Sequence, residues 1–188
     1  MGIQDINSLE SEAGIVATLI KHPDFVFYAD DYLLPSYFTN TENKCMYMAI
    51  RNLTRKGITT IDPFNIISYL NSSDATREFA NVLSVDKLNE FVDMSDILAR
   101  HTSEEYRLLV NNVVETAFRR DTYRKLEECQ NLCTNKDLKN IEEKIYSTID
   151  EVMTEYSTAN IIPQYKDVVE DCWNEIQSRH GDGYAGIP

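Results

Sequence analysis

Metal binding, nucleophilic catalysis and base stacking are the three chemistries that this sequence's side chains could carry. Cys129 and Cys133 stand four apart within one helical pattern and would share a face. Structural zinc needs a second ligand pair at short spacing, and the remaining candidates, Cys45, Cys172, His22, His101 and His180, are scattered. The acidic doublets Asp30-Asp31, Glu104-Glu105, Glu127-Glu128 and Glu142-Glu143 are adjacent residues. Neighbours on a helix diverge by roughly 100°, so these doublets read as solvated faces and no metal site is assigned. The sequence contains no Gly-rich phosphate loop, no His-Glu zinc helix, no Gly-x-Ser-x-Gly elbow and no Cys/His dyad. No catalytic residue is assigned. Tyr28, Tyr32 and Tyr37 crowd around Leu33, Leu34 and Pro35, but their neighbours are Asp30 and Asp31. A stacking platform for single strands would interleave basic residues, so this segment reads as a half-buried packing surface.

Charge narrows the field further. The chain carries a formal charge of -13, with 18 Lys and Arg against 31 Asp and Glu. Contact with nucleic acid depends on Lys and Arg displacing counterions, so single-stranded DNA should bind weakly if at all. With 43% apolar residues in 188, the chain can bury a core. The start is polar and Ile15 to Ile20 is too short to span a bilayer, so a cytoplasmic protein without a leader or a membrane partner is expected. Four cysteines without a framework suit a reducing compartment.

The elements that must position these residues are helices throughout. Leu9, Glu12, Ala13, Val16, Leu19 and Ile20 recur at three and four spacing, and His22-Pro23 ends that helix. A short helix through Phe25, Val26 and Tyr28 follows. Thr39 and Glu42 form a capping box for a helix that buries Cys45, Met46, Ala49, Ile50 and Leu53 before Gly57. Asp62 caps the next, with Pro63 in its first turn and Phe64, Ile67 and Leu70 on its inner face. Asp86 to Leu98 carries a weaker helical pattern.

A second capping box, Thr102 with Glu105, opens a helix with no Gly or Pro breaker to about Thr134. A further helix from Asn135 to about Tyr156 spaces Leu138, Ile141, Ile145, Ile149, Val152 and Tyr156 by three or four, so the two should fold back as a hairpin. Tyr106, Leu109, Val110, Val113, Val114, Ala117 and Phe118 wrap much of the first helix. That is more apolar surface than one partner helix covers, and either self-association or packing on the preceding helices would bury it. The self-association set is Leu109, Val113, Ala117, Phe118, Leu138, Ile141, Ile145, Ile149 and Val152.

After Pro163, a helix over about 164-180 aligns Tyr165, Val168, Val169, Cys172, Trp173 and Ile176 on one face, with Lys166, Asp167, Glu170, Asp171 and Glu175 opposite. It ends in His180-Gly181-Asp182-Gly183. A short amphipathic helix with a tryptophan on its stripe suits docking on another domain or chain, or on its own hairpin. The expected architecture is all-α: a globular helical head over 1-101, a long antiparallel helical hairpin over 102-157, and a separate C-terminal linker helix within 158-188.

In order along the chain, Glu10-Ser-Glu-Ala-Gly-Ile-Val-Ala-Thr-Leu-Ile, then Leu34-Pro-Ser-Tyr-Phe, the Met46 to Gly57 helix, Ile61-Asp62 and Tyr106-Arg-Leu-Leu-Val resemble the N-terminal domain of DnaB-type replicative DNA helicases. The tail Gly181-Asp-Gly-Tyr-Ala-Gly-Ile-Pro188 looks like that family's entry to its RecA-like motor domain. The family's Gly-Gly-x-x-Tyr-Leu segment is replaced here by Asn81 to Met94, which has no glycine. The resemblance implies a collar: hairpins pair into dimers, a trimer of dimers makes a hexamer, and each linker helix docks on a neighbouring motor domain. It implies recruitment of a primase and a helicase loader in the cytosol of a bacterium or of a phage-infected host. ATP and Mg would belong to the motor domain, with none held by this segment. A stand-alone adaptor, either a helicase loader or the helicase-binding domain of a primase, would share the same head and hairpin.

Overall fold

The structure, a computed structural model, describes residues 6–72, 74–135 and 139–157, and every regular element among them is helical. The helices are α1 (Leu9–Lys21), α2 (Thr41–Arg55), α3 (Pro63–Leu70), α4 (Asp74–Ala80), α5 (Val85–Leu98), α6 (Ser103–Thr134) and α7 (141–157). Two 3-10 turns, Pro23–Tyr28 and Pro35–Tyr37, fill the connection between α1 and α2.

Local chemistry sets the ends. Asp62 accepts the Asn65 N–H at 2.8 Å and places Pro63 in the first turn of α3. Thr102 accepts the Glu105 N–H at 3.2 Å and donates to the Glu105 carboxylate at 3.0 Å, capping α6. α2 differs from the expected start: Asn40, not Thr39, is its cap and accepts the Asn43 N–H at 2.9 Å. Thr39 Oγ1 is engaged instead by the Arg120 guanidinium. Gly57 closes α2 with φ at +82°, a left-handed conformation that favours glycine. α7 begins six residues later than the sequence pattern suggests, behind Asn140, whose φ of 58° is one that asparagine tolerates.

α1 is the centre of the head. Its residues from Ile15 to Leu19 are almost completely buried, because α2, α5 and α6 all pack on it. Tyr106, Val110, Val113 and Ala117 of α6 join Ile15, Val16, Leu19, Met46, Tyr47 and Leu88 in one continuous core. Part of the surplus apolar surface of the long helix is therefore covered by the chain's own head. Gly14 permits the close crossing of α1 and α6, since a Cβ there would come within 2.9 Å of Leu109 Cδ1. Asn112 donates to Ser11 Oγ at 2.7 Å beside it. One expected inner face shifts: α3 buries Ile66 and Leu70 while Phe64 is 80% exposed. In α5, Leu88 and Ser95 are buried while Ile97 is 82% exposed.

Candidate functional site

Beyond the head, α6 continues with α7 as its partner, and three contacts fix an antiparallel register. Phe118 meets Tyr156 edge to face, Asp121 accepts the Tyr156 hydroxyl at 2.6 Å, and Lys125 pairs with Glu151 at 2.9 Å. Residue numbers that rise on α6 fall on α7. Cys129 and Thr148 are buried farther along the two helices, while Leu126, Tyr146 and Met153 remain substantially exposed.

The root of this hairpin is built into the head. Arg120 donates to Thr39 Oγ1 at 2.8 Å and to the Tyr37 carbonyl at 3.0 Å. Tyr156 stacks on Tyr37 with ring centroids 5.1 Å apart. Burial holds the Tyr37 phenol up at about 12, with Glu155 and Asp121 adding to the effect. The Tyr156 phenol is pushed higher still, first by burial and then by its hydrogen bond to Asp121. Behind Thr39 lies Glu12, a fully buried carboxylate that accepts the Thr39 N–H at 2.7 Å and the Asn40 N–H at 2.9 Å. One α1 side chain thus holds the loop to which α6 is tied.

A cleft of about 550 Å³ opens at this junction, lined by Phe38, Thr39, Arg124, Lys125, Glu151 and Glu155 among others. Its charges are largely engaged with one another: Arg124 lies 3.4 Å from Asp121, and Lys125 contacts both Glu128 and Glu151. The cleft therefore offers no charge of one sign to a ligand. Among the described residues no three His, Cys, Asp or Glu side chains converge, and no helix is long and apolar enough to cross a membrane.

The residues expected to form a pairing face separate into two groups. Val113 and Ala117 are fully buried in the head-facing core and Val152 is 5% exposed, so these three are occupied within the chain. Leu109, Phe118, Ile141, Ile145 and Ile149 are half-buried. Leu138, together with Tyr165, Val168, Val169, Cys172, Trp173 and Ile176 of the expected linker helix, lies outside the described residues. The tyrosine cluster also reads differently in three dimensions. Arg51 and Arg55 both bind Asp30, and Arg107 lies over the Tyr28 ring at 5.3 Å, contacts between residues at least 21 positions apart in sequence.

Comparison with curated proteins returns no match. The family model described as DnaB-like helicase N terminal domain matches residues 4–111, a span that contains α1 to α5 and the first turns of α6. Matched over more than half its length, the chain belongs to the family of DnaB-like helicase N-terminal domains, which gives it a role related to replicative helicases.

Proposed function

We propose that this chain is the N-terminal collar and linker of a hexameric replicative DNA helicase. In this reading it assembles subunits and recruits a primase and a helicase loader, while ATP, Mg and unwinding belong to a separate C-terminal motor domain. The observation that carries the reading is the hairpin beyond the family match. α6 runs on from Arg120, its last tie to the head loop, and there α6 and α7 leave Leu126 at 49%, Tyr146 at 75% and Met153 at 56% exposure. A two-helix projection with apolar side chains in solvent suits pairing with a second hairpin. The division at about residue 102 between head and hairpin, and at 158 between hairpin and linker, belongs to the same proposal.

The linker helix expected over about 164-180 would dock its Tyr165, Val168, Val169, Cys172, Trp173 and Ile176 face on a neighbouring motor domain. Deleting it from the full-length protein is expected to abolish hexamers and unwinding; hexamers that survive with full unwinding would refute the docking role. The second reading is a stand-alone adaptor, which the family match equally accommodates because the match lies wholly within the head and the start of α6. Reading the gene past the codon for Pro188 separates them. A Gly-Lys-Ser/Thr phosphate loop supports the helicase, and a stop codon supports the adaptor.

A further inference from the structure

The outward face of α5 combines charge and apolar surface in a way that neither the family match nor hairpin pairing uses. Taking roughly 100° per residue, Asp86, Glu90, Asp93 and Ile97 fall within about 60° of one another, with Met94 at the edge of the same stripe. All five side chains are exposed, Ile97 by 82% and Met94 by 40%. Two cations beside this stripe are engaged by other acids: Lys87 is paired with Glu42 of α2, and Lys21 of α1 with Asp96 at 2.5 Å. Asp86, Glu90 and Asp93 form no ion pair among the described residues. α3, which packs on α5, contains no charged residue that could reach across to them.

We infer that this face of α5 docks a basic amphipathic helix of another protein. Three acids along one stripe, none of them in an ion pair among the described residues, select Lys and Arg on the occupant; Ile97 and Met94 at the C-terminal end supply an apolar contact that fixes register. From Asp86 to Ile97 the stripe is roughly 16 Å long, which matches about three turns of a docked helix. A second copy of this chain suits the face less well, because its own net charge is -13 and like charges repel. The inference rests on the partner-recruiting part of the proposed function, and it can fail while self-association through the hairpin holds.

The test is fluorescence anisotropy with a labelled synthetic helix of Lys and Leu at helical spacing, titrated with the full chain at low and at physiological salt. The Glu90→Lys, Asp93→Lys double variant is expected to weaken binding by about tenfold. A control with the same change in net charge on α7, Glu142→Lys with Glu143→Lys, should leave it within about twofold. Ile97→Asp is expected to weaken binding although it adds negative charge. The proposal is overturned if the peptide does not bind, if the α7 control weakens binding as much as the α5 variant, or if Ile97→Asp strengthens it. Circular dichroism on each variant confirms that helicity is retained.

Discussion

The ring of Tyr156 lies nearly parallel to that of Tyr37, 5.1 Å between centroids with 20° between planes, and joins the last turn of the hairpin to the loop in front of α2. Phe118 meets the same ring from α6, and Asp121 accepts its hydroxyl at 2.6 Å. Tyr156 is 4% exposed, so truncation leaves a cavity at the hairpin's root. Tyr156→Ala should cost about 3–5 kcal/mol. Tyr156→Phe, which keeps the stack and loses the bond to a carboxylate, should cost about 1–3 kcal/mol. Urea melts followed by circular dichroism would measure both, and a Tyr156→Phe variant as stable as the native chain would argue against the hydroxyl's contribution.

Glu12 gives a prediction of a different kind. Its carboxylate accepts two backbone N–H groups while fully buried. Glutamine has nearly the same shape but presents an NH2 to one of those donors, so Glu12→Gln should cost about 2–3 kcal/mol. Hydrogen exchange at the Thr39 and Asn40 amides should accelerate in the variant. Unchanged protection would show that the carboxylate does not hold this loop.

At high pH the buried tyrosines should destabilise the fold. The phenols of Tyr37, Tyr47, Tyr106 and Tyr156 are all raised, chiefly by burial, with Tyr37 at about 12. The unfolded chain therefore loses these protons more readily than the native one, and stability falls as pH rises from the ordinary tyrosine value of 10.0 through 12. Absorbance of tyrosinate and far-ultraviolet ellipticity should change together in that window. Ionisation of all 11 tyrosines near 10 with the fold intact would contradict it.

Asp30 works in the opposite direction at low pH. Burial raises its carboxyl, but the hydrogen bonds from Arg51 and Arg55 outweigh that and leave it below its usual 3.8. Its contribution is present above about pH 4 and is lost as pH falls through the depressed native value. Asp30→Asn should therefore destabilise the protein at pH 7, with a difference from the native chain that shrinks below pH 4. A gap that stays constant into acid would remove the ion pair from the account.

How much of this was legible in the sequence depends on whether the signal was local. The Asp62-Pro63 start of α3, the Thr102 and Glu105 box of α6 and the uninterrupted run to Thr134 depend on neighbouring residues, and all three stand where the pattern puts them. The all-helical class follows from the same periodicity. The phase of short helices was not legible: in α3 and α5 the spacing admits several faces, and packing on α1 and α2 selected the one that leaves Phe64 and Ile97 in solvent. α4 gave no usable pattern in seven residues. Glu12 fell at an inward position, yet only the fold brings the Thr39 and Asn40 amides, 27 and 28 residues away, to its carboxylate. Val113 and Ala117 looked like a pairing surface because nothing in their spacing distinguishes a partner chain from the chain's own head.

Self-association through the hairpin is tested most directly by light scattering of the purified chain over a wide concentration range, with and without Leu126→Glu and Met153→Glu. Both side chains are about half exposed, so the substitutions should spare the monomer's core. The account predicts a dimer or hexamer that both substitutions dissociate while helicity is unchanged. A monomer at every concentration, or an oligomer indifferent to both changes, would contradict it.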